Sequence, residues 1–258
     1  RKTLLPLVIA GGTAALNPEP MADFIDIFLL GEGEEMNNEL LALLRTAKAE
    51  GWSKQAFLEK ASQIGGVYVP SFYKPVYNDD CTINHFDVHP GAPEKVTKRI
   101  IADMNSVHFP LSPIVPSTEV VHDRVNLELF RGCVRGCRFC QAGHVYRPIR
   151  AKSPELLAEQ GKALLKNTGC QDITLLSLSS SDYRCLSELC DELLGYCEPR
   201  SIGLSLPSLR ADNFSMDIMH RIQKTRKSGL TYAPEAGRQR RRDAINKNVT
   251  EEDLLHTC

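Results

Sequence analysis

Unbroken apolar runs, not alternating ones, open this chain. Residues 4–10 run into Gly11-Gly12, and residues 24–30 run into Gly31-Glu32-Gly33-Glu34. Continuous apolar character of this kind belongs to strands buried on both faces, as in a parallel sheet. The spacing then becomes helical. Residues 35–49 place Leu40, Leu41, Leu43, Leu44 and Ala47 on one broad face, with Gly51 as the stop. Ser53 caps a second helix through Phe57, Leu58, Ala61 and Ile64, which ends at Gly65-Gly66. Residues 1–66 therefore read as the end of an open α/β domain, and because the chain starts on a strand, earlier strands are expected to be missing.

From 67 to 123 the periodicity loosens. Pro70, Pro75, Pro90, Pro93, Pro110, Pro113 and Pro116 break the apolar stretches into short pieces, which forbids long helices and suits an extended connector laid over a surface. Val67, Tyr68, Val69, Phe72 and Tyr73 call for burial, so a purely flexible linker does not fit. Residues 124–258 then alternate regularly. Strands are expected at 125–130, 173–178, 202–206 and 230–233. Helices are expected at 153–167, begun by Ser153-Pro154 and stopped by Gly169, and at 183–197 and 216–227. This β-α-β-α order implies parallel strands with crossover helices outside. It makes four β/α units, whereas a complete eight-unit barrel takes about 250 residues, so a C-terminal part is expected to be missing too. In such barrels the chemistry sits in the loops after the strands' C-terminal ends.

Composition narrows the class. The chain has 258 residues, 42% of them hydrophobic, enough for a real core. Its 31 Lys and Arg against 32 Asp and Glu give a net charge of -1, so bulk charge offers no reason to expect a nucleic acid or membrane partner. No run approaches the roughly 18 apolar residues of a membrane span and no signal pattern opens the chain, so a cytoplasmic protein is expected.

The nine cysteines are an odd number in a long chain, which argues against a disulfide framework. Cys190 and Cys197 share a helical stripe with Leu186, Leu189, Leu193 and Leu194, where a thiol acts as a small hydrophobe. Cys81, Cys170, Cys185 and Cys258 have no ligand-like neighbours. Cys133, Cys137 and Cys140 differ. They lie in one loop directly after the strand at 125–130, spaced C-x3-C-x2-C. Three thiolates from one loop can grip three irons of a 4Fe-4S cube and leave the fourth without a protein ligand. Two other readings exist. With His144 the set could close a Cys3His zinc site and make the loop a structural or interaction module, although zinc sites usually draw on two separated knuckles. A ferredoxin-like electron carrier would need a fourth cysteine at a suitable spacing, and none is present.

The motif Cys133-x3-Cys137-x2-Cys140, with aromatic Phe139 before the last cysteine and a strand before the first, resembles the signature of the radical S-adenosylmethionine (radical SAM) superfamily. The resemblance implies an enzyme. The three cysteines would hold a 4Fe-4S cluster, SAM would chelate its open iron, and reductive cleavage of SAM would give a 5'-deoxyadenosyl radical acting on an unknown substrate. It further implies that SAM is lined by Phe139 and by the later strand ends. Where the superfamily often carries a Gly-Gly-Glu-like segment, this chain has Ser179, Ser180, Ser181 and Asp182. Ser205 would meet the ribose, Arg210 the SAM carboxylate, and Glu235 would face SAM after the fourth strand.

Residues 7–13, Asn17-Pro18-Glu19 and residues 30–34 resemble the last strands and loops of the Rossmann-like cobalamin-binding-type domain that precedes some radical SAM barrels. Residues 121–124 followed by Arg147-Pro148 fit an uncharacterised branch of that group. The fold expected from the whole resemblance is α/β, truncated at both ends: the end of the cobalamin-binding-type domain over 1–66, a proline-rich connector over 67–123 and a partial radical SAM barrel over 124–258. Gly11 and Gly12 would let a cofactor approach the backbone, which leaves cobalamin open as a third cofactor beside the cluster and SAM. The implied partners are the substrate and an electron donor such as flavodoxin or ferredoxin. Arg238, Arg240, Arg241 and Arg242 form a basic cluster that reads first as a solvated face and only weakly as a nucleic acid contact.

Overall fold

The computed structural model describes residues 3–213, 216–225 and 231–257, and contacts within it divide the chain into two units, Arg1–Ala102 and Asp103–Cys258. In the first, β1 (Ile9–Gly11) and β2 (Ile27–Leu29) pair in parallel. Both strands are shorter than their apolar runs. Pro6 has no N–H to give to a ladder, so pairing starts after it. The Phe24 and Ile25 amides both donate to the Met21 carbonyl in a turn, which delays β2 to Ile27. Helix α1 (Gly33–Ala49) buries Met36, Leu40 and Ala47, and α2 (Lys54–Ala61) starts where Ser53 Oγ accepts the Ala56 amide at 3.2 Å. Asp26 fastens these pieces together, accepting from the Val8 amide at 2.9 Å and from Lys54 Nζ at 2.7 Å.

The proline-rich stretch is not a separate connector along its whole length. β3 (Val67–Tyr68) pairs antiparallel with β2, and β4 (Tyr73–Tyr77) forms a hairpin with β5 (Ile83–Val88). The cause is apolar burial: Val67, Val69 and Phe72 are buried in the first unit's core, and the Tyr73 ring stacks on Tyr68 at 4.8 Å. Pro75 is tolerated within β4 because a two-stranded ribbon is all edge.

In the second unit β6 (Val125–Glu128), β9 (Asp172–Leu176) and β10 (Gly203–Ser205) form a parallel sheet in the order β10-β9-β6. The crossovers are α4 (Pro154–Thr168) and α5 (Leu186–Cys197). Leu127, Leu157, Ile173, Leu175, Leu189, Leu193, Cys190 and Cys197 form its core, so the two helical cysteines are packing residues. Gly161 lets α4 approach the sheet: a Cβ there would stand 3.1 Å from both Ile173 Cδ1 and Leu193 Cδ2. The α4 boundaries are those of the sequence, with Ser153 Oγ accepting the Leu156 amide and Gly169 closing the helix at φ 74°. Ser153→Ala should cost about 1 kcal/mol, read as a lower urea midpoint at unchanged slope.

Three differences bear on the site. The first barrel strand breaks at Leu129, and its continuation β7 (Phe130–Arg131) pairs antiparallel with β8 (Arg150–Ala151), bracketing the cysteine loop. α5 starts three residues late because residues 180–182 make a 3-10 turn. The fourth strand, expected at 230–233, is a single parallel bridge from Leu209 to Tyr232, and its Leu230 lies outside the described residues. Helix α6 (Met216–Thr225) occupies the expected place, with residues 226–227 of that expectation also outside them. The sequence did not announce α7 (Gln239–Ala244) or α8 (Glu251–Thr257). Among the described residues no helix is long and apolar enough to cross a membrane.

Candidate functional site

The cysteine loop leaves β7 at Arg131 and enters the one-turn helix α3 (Ala142–Val145). Its course is fixed at both ends by glycines. Gly132 has φ 107°, and a Cβ there would lie 2.6 Å from the Tyr146 carbonyl oxygen; one at Gly143 would lie 2.3 Å from that of Arg135. The Cys133 amide donates to Tyr146 O at 3.2 Å and the Cys140 amide to Cys137 O at 3.0 Å. The segment after α7 holds the loop from the other side. Arg138 donates from its amide to Ile245 O at 2.9 Å and from Nη1 to Ala244 O at 2.6 Å, while Asn246 Nδ2 donates to Gly136 O at 2.9 Å.

All three cysteines are free thiols, Cys133 and Cys137 buried and Cys140 half-buried, with the Phe139 ring exposed beside them. Among the described residues no three His, Cys, Asp or Glu side chains are placed to hold a single metal ion, and His144 is exposed. The Cys3His zinc arrangement is therefore not formed. Thiolates on three different irons of a cube stand farther apart than the ligands of one ion, so three free thiols on one fixed loop fit a cluster better than zinc.

The neighbouring strand ends converge on this loop. Ser180 is fully buried, its Oγ shared with Ser177 Oγ at 3.1 Å and Leu175 O at 3.2 Å. Ser181 Oγ accepts the Arg210 amide at 3.3 Å. The buried Ser179 hydroxyl lies by Asp182 but makes no hydrogen bond of normal geometry. Asp182 receives Arg135 Nε at 2.9 Å, Arg135 Nη2 and, at 3.4 Å, Asn213 Nδ2. Burial pushes its carboxyl up, but the bonds from Arg135 and Asn213, the nearby Ser179 hydroxyl and the Arg135 charge outweigh this and hold it below the usual carboxylate range.

Ser205 is half-buried at the end of β10. Arg210 is committed within the protein: Nε and Nη2 meet the two Asp212 oxygens at 2.8 and 3.0 Å, and Nη2 also reaches Lys247 O at 2.6 Å. Glu235 sits in a left-handed turn at φ 67° and accepts Lys247 Nζ at 3.1 Å, with that ammonium 6.0 Å from the Phe139 ring centre. A cleft of about 190 Å³ between the start of α5 and α6 meets this set only through Ser181 and Asn213, its other walls including Tyr183, Leu186, Leu206 and Met219. Sequence reasoning missed Arg135, Asp212 and Lys247. Arg135 lies inside the motif itself, and Asp212 two residues after Arg210, which was the available signal.

In the first unit Gly12 has φ 87° and open space over its α-carbon, and Gly11 meets only Leu29. Gly31 serves another purpose: a Cβ there would lie 2.1 Å from the Arg99 carbonyl oxygen, so its missing side chain admits the protein's own backbone. The basic cluster also divides. Arg238, Arg240 and Arg241 are exposed, but Arg242 is 1% exposed, so it cannot belong to a solvated or nucleic-acid-facing surface.

A family model described as the radical SAM superfamily matches residues 127–258, and one described as radical SAM proteins, N-terminal, matches residues 1–70. An uncharacterised protein of Methanocaldococcus jannaschii is 30% identical over 255 residues, covering 97% of this chain and 47% of its own length. The radical S-adenosylmethionine methyltransferase TsrM from Kitasatospora setae, solved with tryptophan substrate and the SAM analogue aza-SAM, matches with a TM-score of 0.57 at 14% identity, over 97% of this chain and 46% of that one. Its structure with cobalamin and a 4Fe-4S cluster matches with a TM-score of 0.51 at 14% identity, over 85% and 41% of the two chains. The chain thus spans about half the length of the relatives it matches, and its likeness to TsrM is one of fold.

Proposed function

We propose that this chain, which belongs to the radical SAM superfamily, carries a 4Fe-4S cluster on Cys133, Cys137 and Cys140 and takes part in the reductive cleavage of SAM. One observation carries the reading. The thiol loop follows the first strand of a parallel sheet and is tied by ion pairs to the loops after the second and third. That is where a barrel of this kind keeps its chemistry. When bound, the cluster and SAM supply one-electron cleavage to methionine and a 5'-deoxyadenosyl radical, which takes hydrogen from a substrate.

The protein's own part is binding, orientation and shielding. Two buried cysteines and a half-buried third offer thiolates at the foot of the loop, and Phe139 gives an exposed aromatic face beside them. The Ser179 hydroxyl offers an acceptor for the methionyl amine, as would the Asp182 carboxylate on loosening its hold on Arg135, with Ser205 at the next strand end for the ribose. Arg210 and Glu235 already have protein partners, so each would reach SAM only by exchanging one of them. The N-terminal unit keeps open space at Gly12, and cobalamin is assigned no step. A soluble electron donor of the flavodoxin or ferredoxin kind and a cytoplasmic setting complete the reading.

The test is anaerobic. The full-length protein, reconstituted with iron and sulfide and reduced with dithionite, should turn brown and form 5'-deoxyadenosine and methionine from SAM, measured by mass spectrometry with and without cobalamin. Stoichiometric zinc with no iron uptake would sink the reading.

A further inference from the structure

Arg135 lies between Cys133 and Cys137 in the sequence of the loop, and its side chain is three-quarters shielded from solvent. It spans two loops that are distant in sequence. Nε and Nη2 hold Asp182, after β9, and Nη1 holds Asp212, after β10, at 3.1 Å. Arg210 closes the set from the other side of Asp212. The result is an alternating chain, Asp182, Arg135, Asp212, Arg210, with two charges of each sign.

Such a chain does not stabilise a fold efficiently, since taking charges out of water costs about as much as their pairing returns. Its distinct property is balance next to a site that would hold an anionic cluster. Arg135 stands two residues from both Cys133 and Cys137.

We infer that Arg135 is a positioning residue that docks the cysteine loop on the loops after β9 and β10 through Asp182 and Asp212, and that this balanced set governs how readily the cluster accepts an electron. The inference rests on the cluster reading above. Removing the Arg135 cation leaves a surplus of negative charge, which disfavours adding an electron. Removing the Asp182 anion leaves a surplus of positive charge, which favours it. A group that only held the loop in shape would shift both variants the same way.

The experiment is a redox titration of the reconstituted full-length protein without SAM, using dithionite and low-potential dyes and reading the reduced cluster by electron paramagnetic resonance. At the potential where wild type is half reduced, Arg135→Gln should lower the reduced-to-oxidised ratio roughly tenfold, about 59 mV for a one-electron couple. Asp182→Asn should raise it by a similar factor, and the double variant should return towards wild type. Arg135→Lys, which keeps the charge, should stay near wild type. Shifts of the same sign in Arg135→Gln and Asp182→Asn, or no shift in either, overturn the inference. Should Arg135→Gln take up no iron, the upward shift of Asp182→Asn decides, and a downward or absent shift there overturns it. The docking half is read on the metal-free protein, where amides 133–140 should exchange hydrogen several-fold faster in Arg135→Gln than in wild type or Arg135→Lys; equal rates overturn it. Wild type that takes up no iron fails the cluster reading itself, a different result from a loaded wild type whose variants do not move.

Discussion

Cys137→Ala should lose 5'-deoxyadenosine formation down to background, a fall of at least about a thousandfold, because without the cluster the cleavage has no source of the electron it needs. Cys137 is the middle cysteine of the motif and is buried, and its carbonyl accepts the Cys140 amide. Its loss leaves two thiolates where three irons each need one. Iron and sulfide per chain should fall with the activity, and Cys137→Ser should rescue little, because a hydroxyl is a poor ligand for iron. Cys81→Ser is the control: this exposed cysteine, in the other unit, should leave both readouts unchanged. Wild-type turnover in Cys137→Ala would refute the ligand assignment. Loss of turnover with full iron loading would move Cys137 from ligand to some later step.

The parts of this fold that were legible are those written in short-range pattern. Ser153, Pro154 and Gly169 state the ends of α4 because capping chemistry acts within one turn. The thiol loop was legible because its three cysteines lie close together in one stretch of sequence. Strand lengths were less so: apolar runs mark burial, and the ladder starts only where amides are free to pair, as Pro6 and the turn at Met21 show.

What stayed hidden depends on partners far along the chain. Arg135 meets carboxylates 47 and 77 residues away, and nothing local marks them as its partners. Gly31 ends an apolar run as Gly11 does, and a glycine after a strand has the same appearance whether a ligand or the protein's own Arg99 fills the space. The Ser179 to Asp182 segment was singled out through the resemblance, and its hydroxyls turn out to be unequal. Ser180 is consumed by the strand it follows, whereas the Ser179 hydroxyl is buried without a normal hydrogen bond.

Arg242 is the sharpest such case, and it carries the second large prediction. As one of four arginines in five residues it reads as solvated, yet its guanidinium is fully inside. Nε donates to Val249 O at 2.8 Å, Nη1 to Ala236 O at 2.9 Å and Gly237 O at 3.1 Å, and Nη2 to Gln239 Oε1 at 2.8 Å. One side chain thus satisfies three backbone carbonyls of a segment too short to pair with itself. Arg242→Met keeps most of the volume and removes every donor. It should cost roughly 3 kcal/mol, since hydrogen bonds to a charged group contribute about 1.5–3 kcal/mol each and the losses do not simply add. Arg240→Ala, exposed on the same helix, should stay within about 0.5 kcal/mol of wild type. Urea unfolding followed by circular dichroism measures both, and equal midpoints for the two variants would refute the structural role. The consequence reaches the site: Ala244 and Ile245 O accept from Arg138, and Asn246 donates to Gly136 O, so the segment that Arg242 folds is the one on which the cysteine loop rests. Arg242→Met should therefore also lower iron uptake, at urea concentrations well below its unfolding midpoint, while Arg240→Ala should not.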